Sequence, residues 1–150
     1  LPGNPAPASN NNDFVPRWNP NYAYLSAIQF NPFVKFKGLE FFGVYEIVND
    51  GNSDNGGSYT QTGGELLYRF GGKEQLFIGG RLNGVNGNQT DDDDDVKISR
   101  QNYAFGWYMS DNIILKMEYV TEKRTGDGWT GSIYEGAKFD GIMIEAGISF

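Results

Sequence analysis

From residue 23 onward apolar and polar positions alternate with a period of two, which predicts strands with one apolar and one mostly polar face. Ile28, Phe30, Pro32, Val34 and Phe36 alternate with Gln29, Asn31, Phe33 and Lys35, giving a first strand that Pro32 weakens because proline brings no ladder donor. Leu39, Phe41, Gly43, Tyr45 and Ile47 against Glu40, Phe42, Val44 and Glu46 form the second. Leu66, Tyr68 and Phe70 oppose Glu65, Leu67 and Arg69; then Leu76, Ile78, Gly80 and Leu82 oppose Gln75, Phe77, Gly79, Arg81 and Asn83. Tyr103, Phe105, Trp107 and Met109 share a face against Arg100, Asn102, Ala104 and Gly106, so small residues sit opposite bulky ones. Ile113, Leu115, Met117 and Tyr119 then alternate with Ile114, Lys116, Glu118 and Val120. The last run sets Ile142, Ile144, Ala146, Ile148 and Phe150 against Met143, Glu145, Gly147 and Ser149. The expectation is about seven strands of roughly 9 to 13 residues, close to the ~9–11 that cross a bilayer when tilted.

The connections are short at 37–38, long at 49–62, short at 71–74, long at 85–95, short at 110–112 and long at 124–138. In an up-and-down sheet that alternation places every long, polar loop at one end, the arrangement of outer-membrane barrels with short periplasmic turns and longer extracellular loops. Residues 1–22 hold five of the six prolines and six asparagines, a composition that predicts a loop or linker; the strands occupy 23–150.

Composition narrows the chemistry. The 150 residues carry 12 Lys plus Arg, 19 Asp plus Glu, 21 Gly, no Cys and no His, for a formal charge of -7. Neither a disulfide framework, a thiolate nucleophile, a Ser-His-Asp triad nor a His-ligated metal can be built. The pI near 4.5 argues against a nucleic-acid partner, which requires a basic footprint. A mean hydropathy of -0.50 and the lack of an apolar run of ~18–20 residues argue against membrane helices, but barrel strands average out as hydrophilic. The first residue is Leu1, so the expectation is a processed chain or part of a longer one.

The closing stretch Gly141-Ile142-Met143-Ile144-Glu145-Ala146-Gly147-Ile148-Ser149-Phe150 resembles the C-terminal signal of bacterial outer-membrane β-barrels. Phe30-Asn31-Pro32-Phe33, Lys37-Gly38-Leu39-Glu40-Phe41-Phe42-Gly43, Gly63-Gly64-Glu65-Leu66-Leu67-Tyr68-Arg69-Phe70 and Gly136-Ala137-Lys138-Phe139-Asp140-Gly141 are similar to segments of porin-type barrels from Bacteroidota. The resemblance covers residues 23–150. It implies an all-β fold, an antiparallel transmembrane β-barrel that passes small solutes through the outer membrane, with Ile148 and Phe150 read by the barrel-assembly machinery. Seven strands is an odd number, whereas single-chain bacterial barrels have an even number of at least eight, so this chain is expected to supply the C-terminal strands of a larger barrel.

In that register Gln29, Lys35, Glu40, Glu46, Glu65, Arg69, Arg81, Arg100, Lys116, Glu118 and Glu145 line the lumen, either meeting solutes or pairing with one another across strands. Five cations against five anions predict no strong selectivity. Ile28, Phe30, Tyr45, Leu66, Tyr68, Leu82, Phe105, Trp107, Leu115, Ile144 and Ile148 face the membrane, and Tyr45, Tyr68, Phe70, Tyr103, Trp107, Tyr119 and Phe150 are candidates for aromatic girdles. A soluble barrel would instead turn this apolar face inward.

Asp91 to Asp95 read as a solvated loop tip in preference to a divalent-cation site. Asp50, Asn52 and Asp54 have the opening spacing of an EF-hand, but Asn55 and Gln61 stand where Gly and Glu are needed. Gly63-Gly64 and Gly79-Gly80 fit close strand packing, since no helix or Lys-Ser/Thr follows them. Glu40, Glu46 and Glu65 could form carboxylate pairs of the kind that hydrolyse glycosides, but a polar lumen produces such sets readily. The expectation is a non-enzymatic porin-type channel in the bacterial outer membrane, without cofactor or bound metal. Its partners would be the bilayer and surface lipid, small solutes, the assembly machinery and other outer-membrane subunits. The alternative is a structural or interaction barrel, closed to flow, within an outer-membrane or secretion complex.

Overall fold

The computed structural model describes residues 24–51, 56–88 and 93–150. It is all-β: β1 (Leu25–Phe30), β2 (Phe33–Phe36), β3 (Leu39–Asp50), β4 (Ser58–Phe70), β5 (Leu76–Gly87), β6 (Val96–Ser110), β7 (Ile113–Thr125) and β8 (Lys138–Ile148), with one 3₁₀ turn at Asp127–Trp129. The strands form a single antiparallel sheet in the order β1-β3-β4-β5-β6-β7-β8, and β2 also pairs with β3. Among the described residues β1 and β8 do not pair, so the sheet is open.

β1 and β2 divide the first expected strand at Asn31–Pro32. The register passes through the break unshifted, with Phe30 opposite Tyr45 and Phe33 opposite Phe42. Pro32 cannot donate, but its carbonyl accepts from the Gly43 N–H at 2.8 Å, so the break costs little pairing. The sheet is therefore eight strands in sequence and seven strands wide.

The strands run further toward the long-loop end than the alternation of apolar residues suggests. β4 begins at Ser58, β5 ends at Gly87 and β7 ends at Thr125, all inside segments expected to be loops. These extensions are rich in Ser, Thr, Asn and Gln, and the backbone ladder continues through them regardless of side-chain polarity. The connections beyond β3, β5 and β7 remain the longer set, opposite the turns at 37–38, 71–75 and 111–112. At 108–110 a bulge shifts the β6–β7 register, with Ser110 facing Ile113.

Burial is inverted relative to a water-soluble sheet. The buried apolar side chains among the described residues are Tyr59, Phe77, Val96, Val120 and Trp129. The four in strands all lie on the face that also carries Glu65, Arg81 and Lys116, while the apolar face is exposed from β1 to β8. The sheet curls around its polar face: a hollow of about 210 Å³ is lined from β4 to β7 by Glu65, Phe77, Gly79, Arg81, Asn102, Ala104 and Lys116.

Candidate functional site

The register brings the eleven polar residues singled out in the sequence onto one face. Gln29 stands opposite Glu46, Lys35 opposite Glu40, Glu65 opposite Arg81, Arg81 opposite Asn102, and Lys116 opposite Glu145. Arg69 faces Phe77, Glu118 faces Ala104 and Met143, and Arg100 faces Glu122. The period of two guarantees this: one residue of slip would have put every charge on the other face.

Most of these charges are cross-strand pairs. Near the short turns the Lys35 ammonium donates to Glu40 Oε1 at 2.7 Å, and Arg69 Nε donates to the same oxygen at 3.1 Å. Arg69 Nη1 donates to the Tyr108 hydroxyl at 3.1 Å, and its guanidinium lies 5.9 Å from the Phe77 ring centre and 5.6 Å from that of Tyr108. Phe77 lies over Gly106, where a Cβ would run into the ring. The small residues opposite bulky ones thus have a physical reason: the glycine makes room for a ring from the adjacent strand. Further along the wall Arg81 Nε donates to Glu65 Oε2 at 2.6 Å, and Lys116 Nζ bridges Glu145 at 2.7 Å and Glu118 at 3.4 Å. With Arg81 and Glu145 more than half exposed, such pairs add at most about 1 kcal/mol each, so their arrangement speaks more to the surface they build than to stability.

Three further strand charges lie on this face among the described residues: Asp50 at the end of β3, and Glu122 and Arg124 on β7. Glu122 takes Arg100 at 3.5 Å and Arg124 at 3.5 Å. Glu122 and Arg124 follow from continuing the Lys116, Glu118, Val120 alternation past Val120, and Asp50 from continuing that of Glu40 and Glu46. Glu122 and Arg124 add one charge of each sign, so with Asp50 the wall stays within one charge of balance among the described residues.

The opposite face carries Ile28, Phe30, Tyr45, Leu66, Tyr68, Leu82, Phe105, Trp107, Leu115, Ile144 and Ile148, exposed to between 40% (Leu115) and 76% (Ile28). The apolar band on this face runs diagonally across the sheet. Register carries Phe36 on β2 to Ile144 on β8, yet beyond it the apolar residues continue past the end of β8 to Phe150, six residues lower. It likewise carries Val34 to Ile142, the uppermost apolar residue of β8 on this face, while on β1 the band continues six residues higher, to Ile28. Both edges fall six residues in six inter-strand steps. With ~3.4 Å per residue and ~4.8 Å between strands, the strands tilt by roughly 35° from the normal to the band. Tyr45, Tyr103 and Tyr119 stand near its upper edge, and Phe36, Phe70 and Trp107 near its lower one.

Among the described residues no group of three or more acidic side chains is placed to hold a metal ion. Asp91, Asp92, Asn52, Asp54 and Asn55, which carried the two cation readings, lie outside the described residues, as does the expected linker at 1–22. Glu40 and Glu65 are each paired with a cation, an arrangement that suits a charged wall better than acid–base chemistry.

No protein-family model, curated protein or solved structure matches this chain.

Proposed function

We propose that this chain forms the C-terminal part of a transmembrane β-barrel in the bacterial outer membrane, and that the barrel is a porin-type channel for passive diffusion of small hydrophilic solutes. The observation that carries the reading is the inverted sheet, with charges on the curled-in face and a diagonal apolar band on the outside. An exposed apolar surface of this extent needs a cover. The roughly 35° obliquity is what a bilayer requires of barrel strands, which tilt by ≈ 35–45° to the membrane normal. The band is roughly 20 Å tall at ~3.4 Å per residue and that tilt, near the ≈ 25 Å apolar belt of outer-membrane barrels.

The direction of the edge strands adds a constraint. β1/β2 and β8 both descend from the long-loop end to the short-turn end, so joining them directly would make a parallel seam. A wholly antiparallel barrel needs an odd number of further strands between them, which agrees with the even strand number of single-chain bacterial barrels. Balanced charges around the wall support passage of small polar solutes with weak discrimination by sign.

Neighbouring residues on one strand test the sidedness. The chain has no Cys, so Arg81→Cys and Leu82→Cys can be probed singly with a water-soluble thiol reagent in intact membranes. Labelling at position 81 with protection at 82 is expected. The reverse pattern would refute the reading.

A further inference from the structure

At the long-loop end the polar face changes character. Tyr59 on β4, Val85 on β5, and Val96 and Ile98 on β6 follow the same alternation as Glu65, Arg81 and Asn102, and so form an apolar island on the charged wall. An apolar island facing a water-filled space would be left wet. Here the segment between β7 and β8 covers it: Trp129 is buried to 5% exposure in one cluster with Tyr59 and Val96, and Tyr134 packs against it. The cluster joins the segment after β7 to β6, β5 and β4, so the segment leans across the inside of the wall instead of standing up from its rim.

The segment is held in several ways. The Gly128 N–H donates to the Asp95 carbonyl at 3.1 Å and Trp129 Nε1 donates to the Lys97 carbonyl at 3.4 Å, tying it to the start of β6. Gly126, at φ +105°, and Gly128 pass so close to the Asp94 and Asp95 backbone that a Cβ at either would collide with it. The Arg124 guanidinium, on the inner face of β7, lies 4.4 Å from the Tyr134 ring centre and 5.6 Å from that of Trp129, and those two rings meet edge to face at 5.4 Å. Within the segment Thr130 N–H donates to Asp127, Ser132 N–H to Trp129 and Ala137 N–H to Tyr134, and Gly131 N–H donates to the Glu135 carboxylate at 2.8 Å. Such a self-bonded loop is a compact body.

We propose that residues 126–137 form a fixed constriction inside the long-loop mouth, anchored by Trp129 on the apolar island and by Arg124 against the Trp129 and Tyr134 rings, and that it sets the size limit for entering solutes. The inference deepens the channel reading and rests on it for the role in solute entry. The shielding of the island is a separate observable. Ile98→Cys, beneath the loop, is probed with the same thiol reagent in intact membranes, with Arg81→Cys as the open reference on the same face. Ile98→Cys is expected to react slowly beside Arg81→Cys, and adding Trp129→Ala is expected to raise its rate by about tenfold or more, because removing a buried Trp strips the anchor of most of its contacts. Trp129→Phe, which keeps a ring, should hold Ile98→Cys shielded. In planar bilayers Trp129→Ala should raise unit conductance and admit larger neutral solutes.

Equal labelling of Ile98→Cys and Arg81→Cys in the otherwise native protein would overturn the constriction, as would labelling of Ile98→Cys that Trp129→Ala leaves unchanged. Release of the shield without any change in conductance or solute size would overturn the role in solute entry. Labelling of Leu82→Cys with Arg81→Cys protected would show instead that the barrel reading itself fails, and the constriction with it.

Discussion

A charge placed at graded depths along β6 separates a lipid-covered face from a wet one by energy. Phe105 stands between Tyr103 and Trp107 on the apolar face, opposite Ile78 on one side and Met117 on the other, and is 43% exposed. Each neighbour along the strand lies roughly 7 Å away at ~3.4 Å per residue, which puts Phe105 deep in the apolar band. Arg at the bilayer midplane of a barrel costs about 2–4 kcal/mol, falling to about 0–1 kcal/mol near the interface. Phe105→Arg should therefore destabilise by about 2–4 kcal/mol, and Gln101→Arg, on the same face above the band, by no more than about 1 kcal/mol. If the face met water, both substitutions would stay within about 0.5 kcal/mol of the parent, as exposed positions usually do. Reversible urea unfolding in lipid vesicles, followed by tryptophan fluorescence, measures the difference. Equal and small effects at positions 101 and 105 would refute the reasoning.

Two other substitutions address the inner wall. Gly106→Val should lower the unfolding midpoint by an amount equivalent to about 1–3 kcal/mol, because the Phe77 ring occupies the space the new side chain needs; an unchanged midpoint would mean that the ring packs elsewhere. Lys116→Gln should tilt the balanced wall toward cations by roughly twofold to fivefold at low salt, given about 1 kcal/mol for a unit charge a few ångströms away in water. A reversal potential that stays put in a salt gradient would show that Lys116, Glu118 and Glu145 do not border the ion path.

The face assignments of this sheet were legible because each strand core keeps an apolar residue or glycine at every second position, and a period of two fixes sidedness without any knowledge of partners. Glu65 and Arg81 could be placed on one face from their parity alone, and the register then made them neighbours. The strand ends were harder to see. Apart from Tyr59 and Val85, the residues of Ser58 to Gly63 and Asn83 to Gly87 are polar or small on both faces, so these stretches look like loop although the ladder runs through them. For the same reason Glu122 and Arg124 went unassigned. The division at Asn31–Pro32 was half visible: Pro32 flags a weak point, but only the pairing shows that its carbonyl keeps the register. Least legible was the Trp129 cluster. Tyr59, Val96 and Trp129 are far apart in sequence and lie in or beside segments without periodicity, so their meeting depends on how the last long connection folds back.

The central claim is that solutes pass along the charged face, and single-channel recording tests it most directly. Natively extracted protein, with its full chain and any bound partners identified by mass, is inserted into a planar bilayer. Stable conductance steps that scale with salt concentration are the expected result. A correctly inserted barrel that stays silent would contradict the claim and assign the molecule a structural or docking role in the outer membrane.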